Sequence, residues 1–158
     1  MNDRRVKEII KSLIQDNLED PLKQWTGKDR IWIHSDEPIV SSSFPRIEII
    51  KRKSTINKII SMGFNFLEQK EIILDVIFWT KVQFKWKDED GAYLNNERIV
   101  AEYLGKIWTE GVKPYGELIR DNYQLVGLKN MGETEAKLDD TEQFYKGTVS
   151  IRVWYFDR

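Results

Sequence analysis

Cysteine is missing from this chain of 158 residues, and histidine occurs once. Without thiols there are no disulfides, thiolate metal sites or cysteine nucleophiles. With His34 alone, the usual parts of a catalytic triad or a histidine-ligated zinc cluster are absent. His34 itself reads as a strand-end histidine beside a polar loop. An excess of either charge is lacking too. Twenty-five basic and 26 acidic side chains leave a formal net charge of −1, so bulk charge predicts attraction to neither DNA nor membrane. No apolar run reaches the ~18 residues of a membrane helix. The opening MNDRRVKEIIKSLI has neither the continuous apolar stretch nor the small-residue cleavage site of a secretory signal. No internal repeat or low-complexity segment is visible. The length suits a single domain, residues 1–158, with a real core.

What is present is aromatic and strongly patterned. Six tryptophans are a high load for this length, and four of them fall in predicted strands, where flat side chains suit a sheet face or an interface. Residues 71–87, EIILDVIFWTKVQFKWK, alternate with a period of two. Ile72, Leu74, Val76, Phe78, Thr80, Val82, Phe84 and Trp86 share one face, and a mostly polar set from Glu71 to Lys85 shares the other. That pattern predicts a strand covering a core on one side. At ~3.3 Å per residue it would span roughly 50 Å, against a domain diameter of roughly 40 Å. A bulge must bend it, or one end must leave the globule.

Around it, Asn2 or Asp3 can cap a helix with an apolar stripe of Val6, Ile9, Ile10, Leu13, Ile14 and Leu18. Asp20-Pro21 stops that helix. Short strands are predicted at Ile31–His34 and from the proline-led Phe44 to Ile50. Residues 54–70 read as a hairpin or irregular excursion. Asp88-Glu89-Asp90-Gly91 is a turn. A second helix is predicted from about Leu94 to Trp108, capped by Asn95 or Asn96 and ended by Gly111. Strands follow at Asn122–Leu128 and Phe144–Phe156, joined by an acidic loop over residues 133–142. The expected fold class is α+β: a mainly antiparallel, twisted sheet packed against an N-terminal and a second central helix, with an extended hairpin or arm.

Candidate chemistry is sparse. Ser41-Ser42-Ser43 lacks a nucleophile elbow and a base, and reads as a loop. Asp139, Asp140 and the nearby glutamates lack calcium-loop spacing and read as a solvated acidic connection. Glu68-Gln69-Lys70 has the E-x-K order of magnesium-dependent nucleases, with Asp36 or Asp75 required as second carboxylate. Lys51-Arg52-Lys53, near Arg46 and Lys58, is a small basic cluster. A nucleic-acid surface requires a continuous basic stripe with interleaved aromatics, so nucleic-acid contact is expected only as a secondary role.

The order of elements carries a resemblance. A capped N-terminal helix precedes the proline-led strand Phe44-Pro45-Arg46-Ile47-Glu48-Ile49. The aromatic-centred strand Ile73-Leu74-Asp75-Val76-Ile77-Phe78-Trp79-Thr80-Lys81 follows. A helix opens on Asn95-Asn96-Glu97-Arg98-Ile99, and a closing strand pair ends in Gly147-Thr148-Val149-Ser150-Ile151-Arg152-Val153. Over residues 1–156 this resembles the tail-terminator and tail-completion proteins of long-tailed bacteriophages and related archaeal viruses and proviruses, apart from a longer excursion at 54–70. The resemblance implies a structural role without catalysis, cofactor or metal. It implies a ring, commonly a hexamer, that ends the tail tube and joins it to the head–neck connector. The place of action would be the virion's tail–neck junction, after assembly in the host cytoplasm. The alternatives are a monomeric protein-binding adaptor and a magnesium-dependent nuclease.

Ring closure needs two different patches on each subunit. The expected ones are the distal end of the long strand, Phe84 and Trp86, and the edge of the closing strand near Trp154. Lys51, Arg52 and Lys53 on one side, and Asp139 and Asp140 in the acidic loop on the other, are expected as complementary rims. Phe78, Trp79, Trp108 and Trp154 are expected mainly as core.

Overall fold

The computed structural model describes residues 2–35, 44–63, 65–81, 85–87, 90–116, 125–134, 137–139 and 144–157. Its first element is helix α1 (Asp3–Asn17), capped by Asn2, whose side chain accepts from the Arg5 amide at 2.9 Å. Val6, Ile9, Ile10 and Ile14 form its buried stripe, at the spacing the sequence predicts. A short helix α2 (Lys23–Thr26) follows, then strand β1 (Ile33–His34).

The centre of the molecule is one long hairpin, β2 (Arg46–Met62) and β3 (Asn65–Lys81). The excursion at 54–70 is therefore the continuous upper half of this hairpin. Gly63 turns it with φ +68°, a conformation that costs a glycine nothing. Both outcomes allowed by an overlong strand occur. Register shifts lie between Lys51 and Lys53 and between Ile56 and Lys58, and such bulges bend and twist a strand. The hairpin also projects, as described below.

The expected strand over 71–87 begins earlier than predicted: β3 spans Asn65–Lys81, with Lys81 opposite Phe144, and residues 82–84 lie outside the described ones. Trp86 and Lys87 form a separate strand β4, paired with β5 (Tyr93–Leu94). Lys85 and Lys87 are fixed to α2 by the Trp25 indole, 2.8 Å from the Lys85 carbonyl, and by Gln24.

Helix α3 (Asn96–Lys106) is capped by Asn95. Gly111 does not end the helical path. The chain passes through it in a π-helical turn, Ile107–Val112. A Cβ on Gly111 would sit 3.6 Å from Ile14 Cγ1, so the glycine is where α1 approaches. The last strands are β6 (Leu125–Glu133), β7 (Lys137–Asp139) and β8 (Phe144–Asp157). Glu133 and Lys137–Asp139 of the expected acidic loop are thus strand. β6 pairs only as far as Val149, and β7 meets the backbone of Phe144–Lys146.

The fold is α+β, with sheet order β1-β2-β3-β8-β6 and β7 alongside β8. β1 runs parallel to β2; the other pairs in this sheet are antiparallel. One sheet face carries the core. Ile47, Ile49, Ile72, Leu74, Val76, Phe78, Val149, Ile151, Val153 and Tyr155 are buried there beneath α1 and α3. Tyr103 of α3 stacks on Phe78 with centroids 4.7 Å apart. Among the described residues, α1 and α3 lie on this face, so the alternation read from sequence separates a helix-covered face from an open one.

Candidate assembly surface

The helical layer stops before the sheet does. Asp3, in the first turn of α1, accepts from the Tyr155 hydroxyl and from Ser54, and pairs with Lys51 at 3.2 Å. Burial would raise the Asp3 pKa, but hydrogen bonds from Tyr155, Lys51 and Ser54 outweigh it and hold the carboxyl below its ordinary 3.8. Past this anchor the hairpin continues to its turn at Gly63. Ile56 and Ile59 stand opposite Lys70 and Glu68, on the face that lower down is covered by α1. They are 53% and 61% exposed. β8 accompanies β3 as far as Glu68, opposite Asp157; beyond it, β3 has only β2 as a described partner. Residues 55–70 therefore form an arm beyond α1 that is three strands wide as far as Glu68 and two strands wide past it, with Ile56 and Ile59 facing outward.

Both sides of the sheet end in open edges among the described residues. β1 pairs with β2 only at Ile47 and Glu48, which leaves the backbone edge of β2 unpaired from Ile49 to the turn. On the far side, β6 pairs with β8 and presents its other edge. Unpaired edges are templates for strand addition.

The basic triplet lies on the β2 edge but is divided by the bulge. Lys51 faces α1 and Asp3, whereas Arg52 reaches across the open face to Asp75 at 2.8 Å and to Ser150 at 2.6 Å. Lys53, opposite Ile73, lies on that open face as well. Asp139 is in β7, two strand neighbours beyond β3; Asp140 lies outside the described residues. The triplet and Asp139 thus sit on opposite sides of the sheet and do not meet within one subunit.

Phe84 also lies outside the described residues. Trp86 is off the main sheet and partly buried, edge-on to Tyr103 at 5.2 Å with the Lys106 ammonium 5.0 Å above it. Trp154 is half-buried on the open face beneath Arg152. The beginning of the long strand, at Asn65, projects beyond β8. Of the four aromatics expected as core, Phe78 is fully buried, while Trp79, Trp108 and Trp154 are partly so.

Asp75 does not join Glu68 and Lys70. Glu68 and Lys70 pair with each other at 3.7 Å on the arm. Asp75 points to the opposite face, held by Arg52 and Ser150, and Asp36 lies outside the described residues. No group of three potential metal ligands occurs among the described residues. Sequence reading missed the arm isoleucines as a surface, although Ile56 and Ile59 were visible. Their spacing also fits a helical turn, and only pairing with Glu68 and Lys70 decides between the two. Among the described residues, no helix is long and apolar enough to cross a membrane. Compared with models of known protein families and with curated proteins, the sequence matches none.

Proposed function

We propose that this chain is a structural assembly protein that joins its own copies head to tail into a ring. The ring is of the kind that completes a viral tail tube and links it to the head–neck connector. The observation that carries the proposal is the arm, residues 55–70, which extends past α1 with Ile56 and Ile59 uncovered. Burying an isoleucine side chain is worth about 1.5–3 kcal/mol, so two of them, with strand pairing, give a neighbour a definite seat. A closed ring needs two unlike surfaces on each subunit, and the β2 edge with its arm differs from the β6 edge. The tail-tube and connector proteins as partners, a hexamer as the ring, and the virion's tail–neck junction as the place of action follow from the resemblance in element order.

Size-exclusion chromatography with light scattering tests this, with the protein alone and mixed with tail-tube protein. A ring mass, alone or on the tube, is expected, and Ile56→Lys with Ile59→Lys should return the protein to monomer. A chain that stays monomeric at every concentration and ignores the tube would instead be an adaptor.

A further inference from the structure

The open face of the sheet is not charge-balanced, although the whole chain is. By register it carries the carboxylates Glu48, Glu71, Asp75 and, opposite Phe144, Asp139. The first three are each taken by an arginine: Arg46–Glu48 at 3.0 Å, Arg152–Glu71 at 3.1 Å and Arg52–Asp75 at 2.8 Å. Lys53, Lys58, Lys81, Lys129 and Lys146 share this face and are exposed. No carboxylate among the described residues pairs with any of them. Aromatic rings lie between these cations. Lys146 sits 4.9 Å from the Trp79 ring and Lys81 sits 5.3 Å from Phe44, while Arg152 covers Trp154 at 5.6 Å. Trp79 and Trp154 are eight positions apart in ladder terms, since Trp79 opposes Lys146 and Trp154 opposes Glu71. That is roughly 26 Å along the sheet at ~3.3 Å per residue.

We infer that this open face binds single-stranded nucleic acid, with the unpaired lysines on phosphates and the half-buried tryptophans as stacking platforms for bases. Excess cations along a groove or sheet track a phosphate backbone, and π-faces accept any base, so the binding is sequence-tolerant and salt-dependent. An acidic protein surface would satisfy the lysines but would leave no role for the rings between them. Lys81, Lys146 and Trp154 lie on β3 and β8, inside the sheet and away from its edges, so variants there report binding apart from ring formation.

Fluorescence anisotropy with a labelled oligothymidylate of about twenty nucleotides, longer than the ~4–16 that one such platform covers, tests it. Binding at about 50 mM salt should weaken steeply by about 200 mM. Lys81→Glu with Lys146→Glu should weaken it at least ~tenfold and flatten the salt slope by about 0.7 for each phosphate no longer neutralised. Lys113→Glu, on the helical layer, should leave binding unchanged. Trp154→Ala should cost roughly five- to hundredfold. If the glutamates disturb the sheet, the Lys81→Gln and Lys146→Gln pair gives the same reading. Absence of binding at low salt, or lysine variants that bind like the parent, would overturn the inference. Equal binding of a duplex with no effect of Trp154→Ala would overturn the single-strand assignment. A preference for polyglutamate over the oligonucleotide would assign the face to an acidic protein instead.

Discussion

Asp20 shows at the residue scale how much one position can carry unseen. In the sequence it is the residue before Pro21 and reads only as a helix stop. In the fold its carboxylate is buried and takes both Nε and Nη2 of Arg30, at 2.8 and 3.0 Å, as well as the Leu22 amide at 2.9 Å. Arg30 also donates to the Pro45 carbonyl, so this pair ties the end of α1 to the start of β2. Removing one partner of a buried pair leaves the other charge uncompensated. Asp20→Ala should therefore lower stability by about 3 kcal/mol in urea unfolding, well beyond the ~1 kcal/mol typical of point changes. Asp3 makes the complementary case with pH. Its folded pKa lies below the ordinary 3.8. The stability it contributes is therefore complete above that value and is lost as pH falls through the lower folded one. In acid titrations followed by circular dichroism, Asp3→Asn should start less stable at neutral pH, and its gap to the parent should close below about pH 4.

At the element scale, α3 and β8 meet at Gly147. A Cβ there would lie 2.6 Å from Leu104 Cδ1 and 2.7 Å from Val100 Cγ1. Leu104 can swing aside, but the valine has one favoured rotamer in a helix. Gly147→Ala should cost about 1–3 kcal/mol through overpacking, seen as a lower Tm with unchanged secondary structure. In sequence this glycine looks like an interruption of a strand; its reason is a helix from elsewhere in the chain. The hairpin makes the opposite point. Ile56 and Ile59 are largely uncovered in one subunit, so lysines there should shift subunit stability by no more than ~0.5 kcal/mol while abolishing assembly. Loss of fold in that variant, measured by near-ultraviolet circular dichroism, would mean that the arm is part of the core.

For the whole molecule, the two sheet faces have different occupations. One packs under helices, where Leu74→Ala would cost about 2–5 kcal/mol. The other is a lattice of arginine–carboxylate pairs, unpaired lysines and partly buried rings. The proposed division of labour follows: the helix-covered face stabilises the subunit, the edges and arm take neighbours, and the open face takes a polyanion. Near-neutral composition hides this, because the acidic side chains are concentrated in the helices, the turns and the segment after β6.

Local sequence by itself determined the α+β class, the stripes of α1 and α3, their asparagine caps, and the alternation that puts Ile72, Leu74, Val76 and Phe78 inward. Those features depend on periods of 3.6 and 2, which a chain carries in any short window. Tertiary structure alone decided that the beginning of β3 projects, because β8 accompanies it only as far as Glu68. It also decided which cations share a face. The bulge at Arg52 changes the parity of β2, sending Lys51 to Asp3 and Lys53 to the open side, and a bulge is set by the partner strand's register, which lies outside the triplet's own sequence.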